Sequence, residues 1–255
     1  MCMRFYLGTH ILNHMEKTDV PLFISINRLK RRKKKEFKQL GRIAIDSGGF
    51  TELGMHGKWT STADEYVEEL QRLMDLGLKI DWASPQDWMC EDVMLKKTGL
   101  SVLQHQWRTV ENFMKLRELT NEIEGLHIIP VLQGQTLKDY FRHFEMYEVQ
   151  GVNLRGEMLV GVGSVCRRES TEEIGTIMKG LGTKGLRLHG FGVKTGGIKK
   201  YGEWLVSADS MAWSRNARFD KKRCTSCINR PNPPKACNNC LDYALDWRGN
   251  IVKKP

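Results

Sequence analysis

The sequence predicts an α/β protein built on a (β/α)8 barrel, followed by a small C-terminal subdomain that binds zinc. Three observations support this prediction: eight short apolar segments recur along the chain, helical stretches separate them, and two CxxC pairs stand close together near its end. Apolar strands separated by helices indicate a parallel sheet covered on both faces, and eight repeats favour closure. An open doubly wound sheet is the alternative. We assign residues 1–214 to the barrel and 215–255 to the subdomain.

The eight candidate strands are short runs rich in branched and aromatic residues. They are residues 4–9, 21–26, 42–47, 79–84, 127–133, 157–163, 186–192 and 204–209. The helical pattern between them is clearest at 62–76 and 100–124, where apolar residues recur at spacings of three and four. We expect the first of these helices to begin after a cap at Thr60 or Ser61.

Length and composition describe one ordinary globular domain with a small appendage. The chain has 255 residues, of which 40% are hydrophobic and 27% charged. It has no run of 18 apolar residues, and its first residues, MCMRFYLGTH, lack the apolar stretch of a secretory signal. We therefore expect a cytoplasmic protein without a membrane span.

The net charge of +10 is concentrated in two segments. Residues 28–38 carry +7 and residues 215–255 carry another +7, which leaves the remaining 203 residues at −4. Clustered positive charge is typical of proteins that bind nucleic acid, because each neutralised phosphate releases counterions. A solvated helix face and a basic tail are the alternative interpretation.

Four of the seven cysteines form a metal-site pattern. They are Cys224, Cys227, Cys237 and Cys240, arranged as CTSC and CNNC nine residues apart. This spacing suits tetrahedral zinc, and a pair of disulfides is the alternative. Because the protein fills all four positions, we expect a structural zinc with no open site for water.

Two aspartates at strand ends are the strongest candidates for catalysis. Asp46 and Asp209 each end a strongly apolar segment, and in a barrel the carboxyl ends of the strands meet on the face where active sites form. Two carboxylates across one pocket suit glycosidic chemistry, in which one attacks the anomeric carbon and the other handles the leaving group's proton. A helix cap or a surface charge is the alternative for either residue alone.

Other strand ends offer groups that could hold a flat polar ligand. Gly48 follows Asp46 and allows close approach of backbone amides. Gln133 carries both a donor and an acceptor, as a residue that reads a base edge must, and Asp87 is a similar candidate. Gly161 and Gly163 leave room for a flat ligand, although tight turns at barrel ends also favour glycine.

Several ordered motifs resemble the tRNA-guanine transglycosylases, among them DSGGF at 46–50, VLQGQ at 131–135 and VGVGS at 160–164. Still closer is the resemblance to phage and bacterial DNA 7-deazaguanine transglycosylases. Its motifs span residues 4–214 and are FYLGTH, PLFIS, DSGGFTEL, SPQDWMCE, GVGSVCRR, HGFGVK and SADSMAWS. The tRNA enzymes lead one to expect CxCxxC with a distant His, so the cysteine pattern here argues for the DNA enzymes.

The resemblance implies a role for each candidate residue. Asp209 would attack C1′ of a guanosine nucleotide, and Asp46 would protonate the departing guanine and then deprotonate the incoming base. Asp87, Gln133 and the backbone around Gly163 would hold the purine edges. Ser47 and His189 would line the site, although the family position that matches His189 is not usually His.

The resemblance also implies substrates and partners. The incoming base would be a 7-deazaguanine such as preQ0, no redox or nucleotide cofactor is needed, and a helper protein is a further partner to consider. A base in duplex DNA must first be flipped out of the stack. Basic residues would hold the backbone during that step, namely Arg31, Arg32, Lys33, Lys34, Lys35, Arg167 and Arg168. Action on tRNA, and an inactive zinc-bearing protein that only binds nucleic acid, are the alternatives.

Overall fold

The eight predicted strands form and pair in parallel in one sheet. The structure is a computed structural model that describes residues 3–30, 36–168 and 170–252. Its strands are β1 (Arg4–Gly8), β2 (Leu22–Ser25), β3 (Ile43–Asp46), β4 (Ile80–Ala83), β5 (Val131–Leu132), β6 (Val160–Val162), β7 (Leu188–Gly190) and β8 (Leu205–Ser210). Seven lie inside the segments predicted for them, and β8 extends one residue further.

The strands are arranged in the order β4-β3-β2-β1-β8-β7-β6-β5, which makes a curled, eight-stranded parallel sheet. Strands that are consecutive in the chain are therefore neighbours in the sheet, except for β4 and β5, which stand at the two ends of the order, and β1 pairs with β8 in its centre. One parallel bridge between Ala83 and Ile128 joins β4 to the segment that leads into β5. Ala83 there accepts a hydrogen bond from the Ile129 amide and donates one to the His127 carbonyl, at 3.1 and 2.8 Å.

Strand β5 is much shorter than the apolar segment 127–133 predicts. Pro130 stands in the middle of that segment, and its ring nitrogen has no hydrogen to donate to a ladder. Its carbonyl still accepts from the Gly161 amide at 2.8 Å. Regular pairing therefore begins only at Val131.

Helices connect the strands, as the alternation of the sequence predicts. They are α1 (Ile26–Leu29), α2 (Gly49–His56), α3 (Ala63–Asp75), α4 (Asp92–Thr98), α5 (Val102–Thr120), α6 (Leu137–Val149), α7 (Glu172–Gly182), α8 (Thr195–Tyr201), α9 (Ala212–Phe219), α10 (Thr225–Ile228) and α11 (Leu241–Val252). Short 3-10 helices lie at Leu12–Glu16 and Gly202–Trp204. The two helices predicted at 62–76 and 100–124 are α3 and α5.

Helix α3 is capped by Thr62, and the expectation of Thr60 or Ser61 was wrong. The Thr62 hydroxyl accepts from the Glu65 amide, and the Glu65 carboxylate accepts from the Thr62 amide. Only Thr62 has a glutamate three residues later, so only it can close this reciprocal capping box. Thr60 instead binds the Glu52 carboxylate.

Two apolar cores lie between the sheet and its helices, and a smaller aromatic cluster lies inside the curl of the sheet. That inner cluster includes Tyr6, Trp82 and Leu159, with Phe23 and Phe191 packed against it. The indole of Trp82 donates to the Tyr6 hydroxyl at 3.1 Å. The inner cluster therefore forms a floor beneath the carboxyl ends of the strands.

The C-terminal segment folds back onto β1. The ring centroid of Trp247 in α11 lies 6.0 Å from that of Phe5, and the Arg248 guanidinium donates to the Phe5 carbonyl. Ala244 and Ile251 are buried in the two outer cores. Among the described residues, no helix has both the length and the apolar character that crossing a membrane requires.

Candidate active site at the carboxyl ends of the strands

Asp209, near the end of β8, is held in a defined orientation. Its side chain is buried, and Oδ1 accepts a hydrogen bond of 3.0 Å from the Gly192 amide. The Nε2 atom of His189 lies 3.3 Å from the same oxygen. Both contacts are made to Oδ1, so they fix the orientation of the carboxylate.

His189 is fully buried next to this aspartate. Its Nδ1 atom lies 2.9 Å from the Ser207 hydroxyl, and its ring packs edge-on to Trp82 and Phe191 at 4.7 Å. Both ring nitrogens thus have polar partners, while the faces contact aromatic rings. The imidazole fixes the position of Asp209 from below.

Asp46 ends β3 and partly faces solvent. Burial raises the pKa of Asp46 to about 6, and this net value includes a lowering by the hydrogen bond from the Gly48 amide and a raising by the charge of Asp209. Ser25, its register partner on β2, also binds the carboxylate. A carboxyl group with such a pKa can both donate and accept a proton near neutrality.

The loop after Asp46 depends on Gly48. This glycine has φ +83°, and a Cβ atom there would meet the Asn27 amide at 2.3 Å. Next to it, the Ser47 amide donates to the Ser84 hydroxyl at 2.8 Å. The buried Ser47 hydroxyl has no hydrogen-bond partner among the described residues, which leaves a polar atom beside the acid for a substrate.

Asp87 and Gln133 are joined directly, because the Gln133 amide nitrogen donates a short hydrogen bond to Asp87 Oδ2. Burial raises the pKa of Asp87 to about 7, and the charge of Asp46 adds to the effect. Burial raises the pKa of the Tyr66 hydroxyl, and the charges of Asp46 and Asp87 also raise it. The three aspartates therefore form one electrostatically coupled group.

Gly161 and Gly163 allow this group to pack. A Cβ atom on Gly163 would lie 2.2 Å from the Gln133 amide nitrogen, and one on Gly161 would lie 2.5 Å from the Phe191 ring. Neither glycine has a positive φ. Close approach is thus the reason for glycine at both positions.

Ser164 belongs to the site, although the sequence analysis did not select it. Its φ of +56° is unusual for a residue with a side chain. Its hydroxyl accepts from the Cys90 amide at 2.7 Å and can donate to Gln133 Oε1 at 2.5 Å or to Glu91 Oε2 at 3.2 Å. Its place in the motif GVGS was the available signal, but its partners come from the segments that follow β4 and β5.

Gly192 was also missed as a functional residue. It lies in the motif HGFG, and its amide is the donor to Asp209. With φ +66° and a virtual Cβ only 2.5 Å from Cys166 Sγ, the position requires glycine. The motif indicated a strand end, but a backbone donor cannot be recognised from residue type.

Arg167 and Arg168 lie on the rim of a neighbouring open cavity of about 630 Å³. The Arg167 guanidinium stacks over the ring of Phe50 at 5.4 Å. Arg168 is engaged within the protein, since it donates to the Gln135 carbonyl at 2.8 Å and pairs with Glu173 at 2.9 Å. The other predicted backbone contacts, Arg31, Arg32, Lys33, Lys34 and Lys35, lie outside the described residues.

The four predicted cysteine ligands converge. The Sγ atoms of Cys224, Cys227, Cys237 and Cys240 all lie within 4.8 Å of one another. Three of the separations are 3.4 to 3.6 Å. Tetrahedral zinc with Zn–S bonds of about 2.3 Å places its sulfurs about 3.8 Å apart, so this cluster could hold such a metal ion.

Comparison with known proteins identifies one family. The family model DpdA, described as DeoxyPurine in DNA protein A, matches residues 1–255, which is the full chain. No curated protein matches the sequence. The strand-end motifs predicted membership of the DNA-modifying family, and this match confirms it.

Proposed function

The chain belongs to the DpdA family, and from this premise we propose that it is a transglycosylase that exchanges guanine in DNA for a 7-deazaguanine base such as preQ0. Membership makes it an enzyme of DNA modification. The observation that carries the specific reaction is the coupled group of Asp209, Asp46 and Asp87 at one end of the parallel sheet. We further propose that the sheet closes as a (β/α)8 barrel, for which the bridge between Ala83 and Ile128 is the support.

In the first half of the reaction, Asp209 Oδ2 attacks C1′ of the target deoxyguanosine. A bond forms between this oxygen and C1′, and the bond from C1′ to guanine breaks with its electron pair passing to the base. Asp46 donates its proton to a ring nitrogen of the departing guanine. Its raised pKa keeps a fraction of the group protonated near neutrality.

In the second half, the ionised Asp46 removes a proton from the incoming 7-deazaguanine, and the base nitrogen attacks C1′. The ester bond to Asp209 breaks, and its carboxylate is restored. Two displacements at one carbon preserve the β configuration. The Gly192 amide holds Asp209 Oδ1 throughout, which keeps the reactive oxygen directed at the sugar.

Asp87 and Gln133 recognise the base. The carboxylate accepts hydrogen bonds from the N–H groups of the guanine edge, and the amide of Gln133 donates to its carbonyl oxygen. A 7-deazaguanine keeps this edge unchanged, so one pocket serves both the leaving and the entering base. The hydroxyl of Ser164 fixes the amide in the required orientation.

Other residues of the chain support this reaction. We propose that Ser47 and His189 line the site, that Arg167 contacts a phosphate, and that Arg168 supports the adjacent loop. The run at residues 31–35 is proposed as a second phosphate contact. Zinc at the four cysteines would be structural, because the protein supplies every ligand. A helper protein that delivers DNA or base is also part of the proposal.

Incubation with radiolabelled guanine tests the proposal. Label should enter duplex DNA and not tRNA, and unlabelled preQ0 should then displace it irreversibly. Asp46→Asn, which cannot donate a proton, should lower incorporation by at least 100-fold. Label that enters only tRNA would contradict the choice of polymer. Duplex binding without any incorporation would favour an inactive binding protein.

A further inference from the structure

A second cavity lies beside the active site, between the first 3-10 helix, the end of α9 and the four-cysteine segment. Its volume is about 1180 Å³. The 3-10 helix follows β1 and α9 follows β8, so both of these walls continue from the carboxyl ends of adjacent strands. Asp209 lies at that same end of β8. We call this cavity the basic groove.

The basic groove has a strong excess of positive charge. Six basic side chains line it: Lys17, Arg218, Lys221, Arg223, Arg230 and Lys235. The acidic residue in the lining is Asp242, whose carboxylate already accepts from Ser226 at 2.7 Å. Within the described ranges, none of the six pairs with a carboxylate. Such uncompensated charge attracts a polyanion.

Neutral amides complement these cations. Asn13, Asn238 and Asn239 also line the groove. The Asn239 side-chain oxygen lies 2.9 Å from His10 Nε2, and the Asn238 carbonyl accepts from the Ser214 hydroxyl at 2.7 Å. Lysine, arginine and asparagine are all among the side chains that contact nucleic-acid phosphates.

The backbone at Lys221 supports a binding role. Lys221 has φ +49°, in the left-handed region, and it directly follows the C-cap of α9. The Lys222 amide closes the turn on the Ala217 carbonyl at 3.0 Å, as in a Schellman motif. Glycine is the preferred residue at this position, so lysine here retains a charge at a conformational cost.

The cysteine cluster fixes the far wall of the groove. Cys227 and Cys240 belong to the lining, and the Cys237 amide donates to the Lys222 carbonyl at 2.8 Å. A metal ion that joins the four sulfurs would therefore hold this wall against the end of α9. The wall is tied to the barrel through Ser214.

We propose that the basic groove binds the phosphate backbone of duplex DNA on one side of the target base. This inference rests on the proposed function and deepens it. Helix α9 begins three residues after Asp209, has 8 residues and is about 12 Å long, a length comparable with three to four base-pair steps of about 3.4 Å. The groove thus holds flanking DNA while the base occupies the site.

Fluorescence anisotropy with a labelled 24-base-pair duplex tests the groove directly. Arg218→Gln combined with Lys221→Gly should weaken binding at least tenfold and reduce the slope of log K against log salt concentration by about 2. Lys179→Gln combined with Lys199→Gln removes the same charge from α7 and α8, and its affinity should stay within twofold of the wild type. Equal affinity of the two double variants would overturn the proposal.

Lys221→Gly alone separates binding from folding. Because glycine suits the left-handed conformation, the Tm of this variant should equal or exceed that of the wild type, while its affinity for the duplex falls. Unchanged duplex affinity, or a loss confined to tRNA, would contradict the DNA assignment. Guanine incorporation is measured separately, so that the two proposals can be distinguished. If the groove variants lose duplex binding but the wild type incorporates no label, the groove binds DNA and the transglycosylase reaction is rejected.

Discussion

At the scale of single residues, Asp87 carries an energetic cost that the proposed recognition of the base would explain. A buried carboxyl group without a full set of donors is disfavoured in its charged form, and the raised pKa of about 7 reports this. The N–H groups of a bound guanine would supply the missing donors. Binding of guanine would thus offset the cost of burying this carboxylate.

This cost predicts a pH dependence of stability. The folded pKa of Asp87 lies above the unfolded value of 3.8, so the folded state holds a proton that the unfolded state loses between about pH 4 and 7. Stability should fall as the pH rises through that window. Asp87→Asn removes the penalty and should stabilise the protein by about 1 to 3 kcal/mol at pH 8, with little change at pH 4.

Urea unfolding at pH 4 and pH 8 measures this difference. The exposed Asp75 offers a matched control, since Asp75→Asn makes the same change on the surface of α3. An Asp87→Asn variant less stable than wild type at pH 8 would contradict the account of Asp87.

At the scale of elements, close approach between strand ends determines the geometry of base recognition. Gly163→Ala would push a methyl group to within 2.2 Å of the Gln133 amide nitrogen and displace it. We expect the KM for guanine to rise at least tenfold. Gly175→Ala in α7 is the matched control, because its Cβ would meet nothing closer than Tyr201 at 3.9 Å. Steady-state incorporation kinetics measure both, and an unchanged KM for Gly163→Ala would reject the role of Gln133.

Strand positions could be predicted from the sequence because each strand is a short apolar run between helices. Asp46, Gln133 and Asp209 follow such runs, so their common rim could be predicted as well. The roles of Ser164 and Gly192 could not, since one depends on a left-handed backbone and the other on an amide. The positive charge of residues 215–255 predicted nucleic-acid binding, but the groove itself could not be predicted, because Lys17 and Lys235 meet only after the sheet has formed.

At the scale of the whole molecule, the C-terminal segment both forms a wall of the basic groove and packs on the parallel sheet. Arg248 in α11 binds the Phe5 carbonyl in β1. The four cysteines come before α11 in the chain, and the last of them directly precedes its first residue. The segment predicted as a separate subdomain therefore contributes Ala244 and Ile251 to the two apolar cores that pack against the sheet.

Metal removal should affect stability and DNA binding together. We expect one zinc per chain by elemental analysis, and Cys237→Ser should lose it, lower the Tm by several degrees and weaken duplex affinity. Cys166→Ser, which alters an exposed cysteine outside the cluster, should keep its zinc. Full metal content in Cys237→Ser would contradict the four-thiolate site.

The proposed reaction requires a covalent bond between Asp209 and the sugar of DNA, and this bond can be trapped. After acid quenching of the protein with duplex DNA, denaturing electrophoresis and intact mass measurement should reveal a protein–DNA adduct with guanine lost. Asp209→Asn preserves the size of the side chain and an acceptor for Gly192, yet it should give no adduct. An adduct of equal yield in Asp209→Asn, or its absence in a wild-type protein that incorporates guanine, would contradict the account.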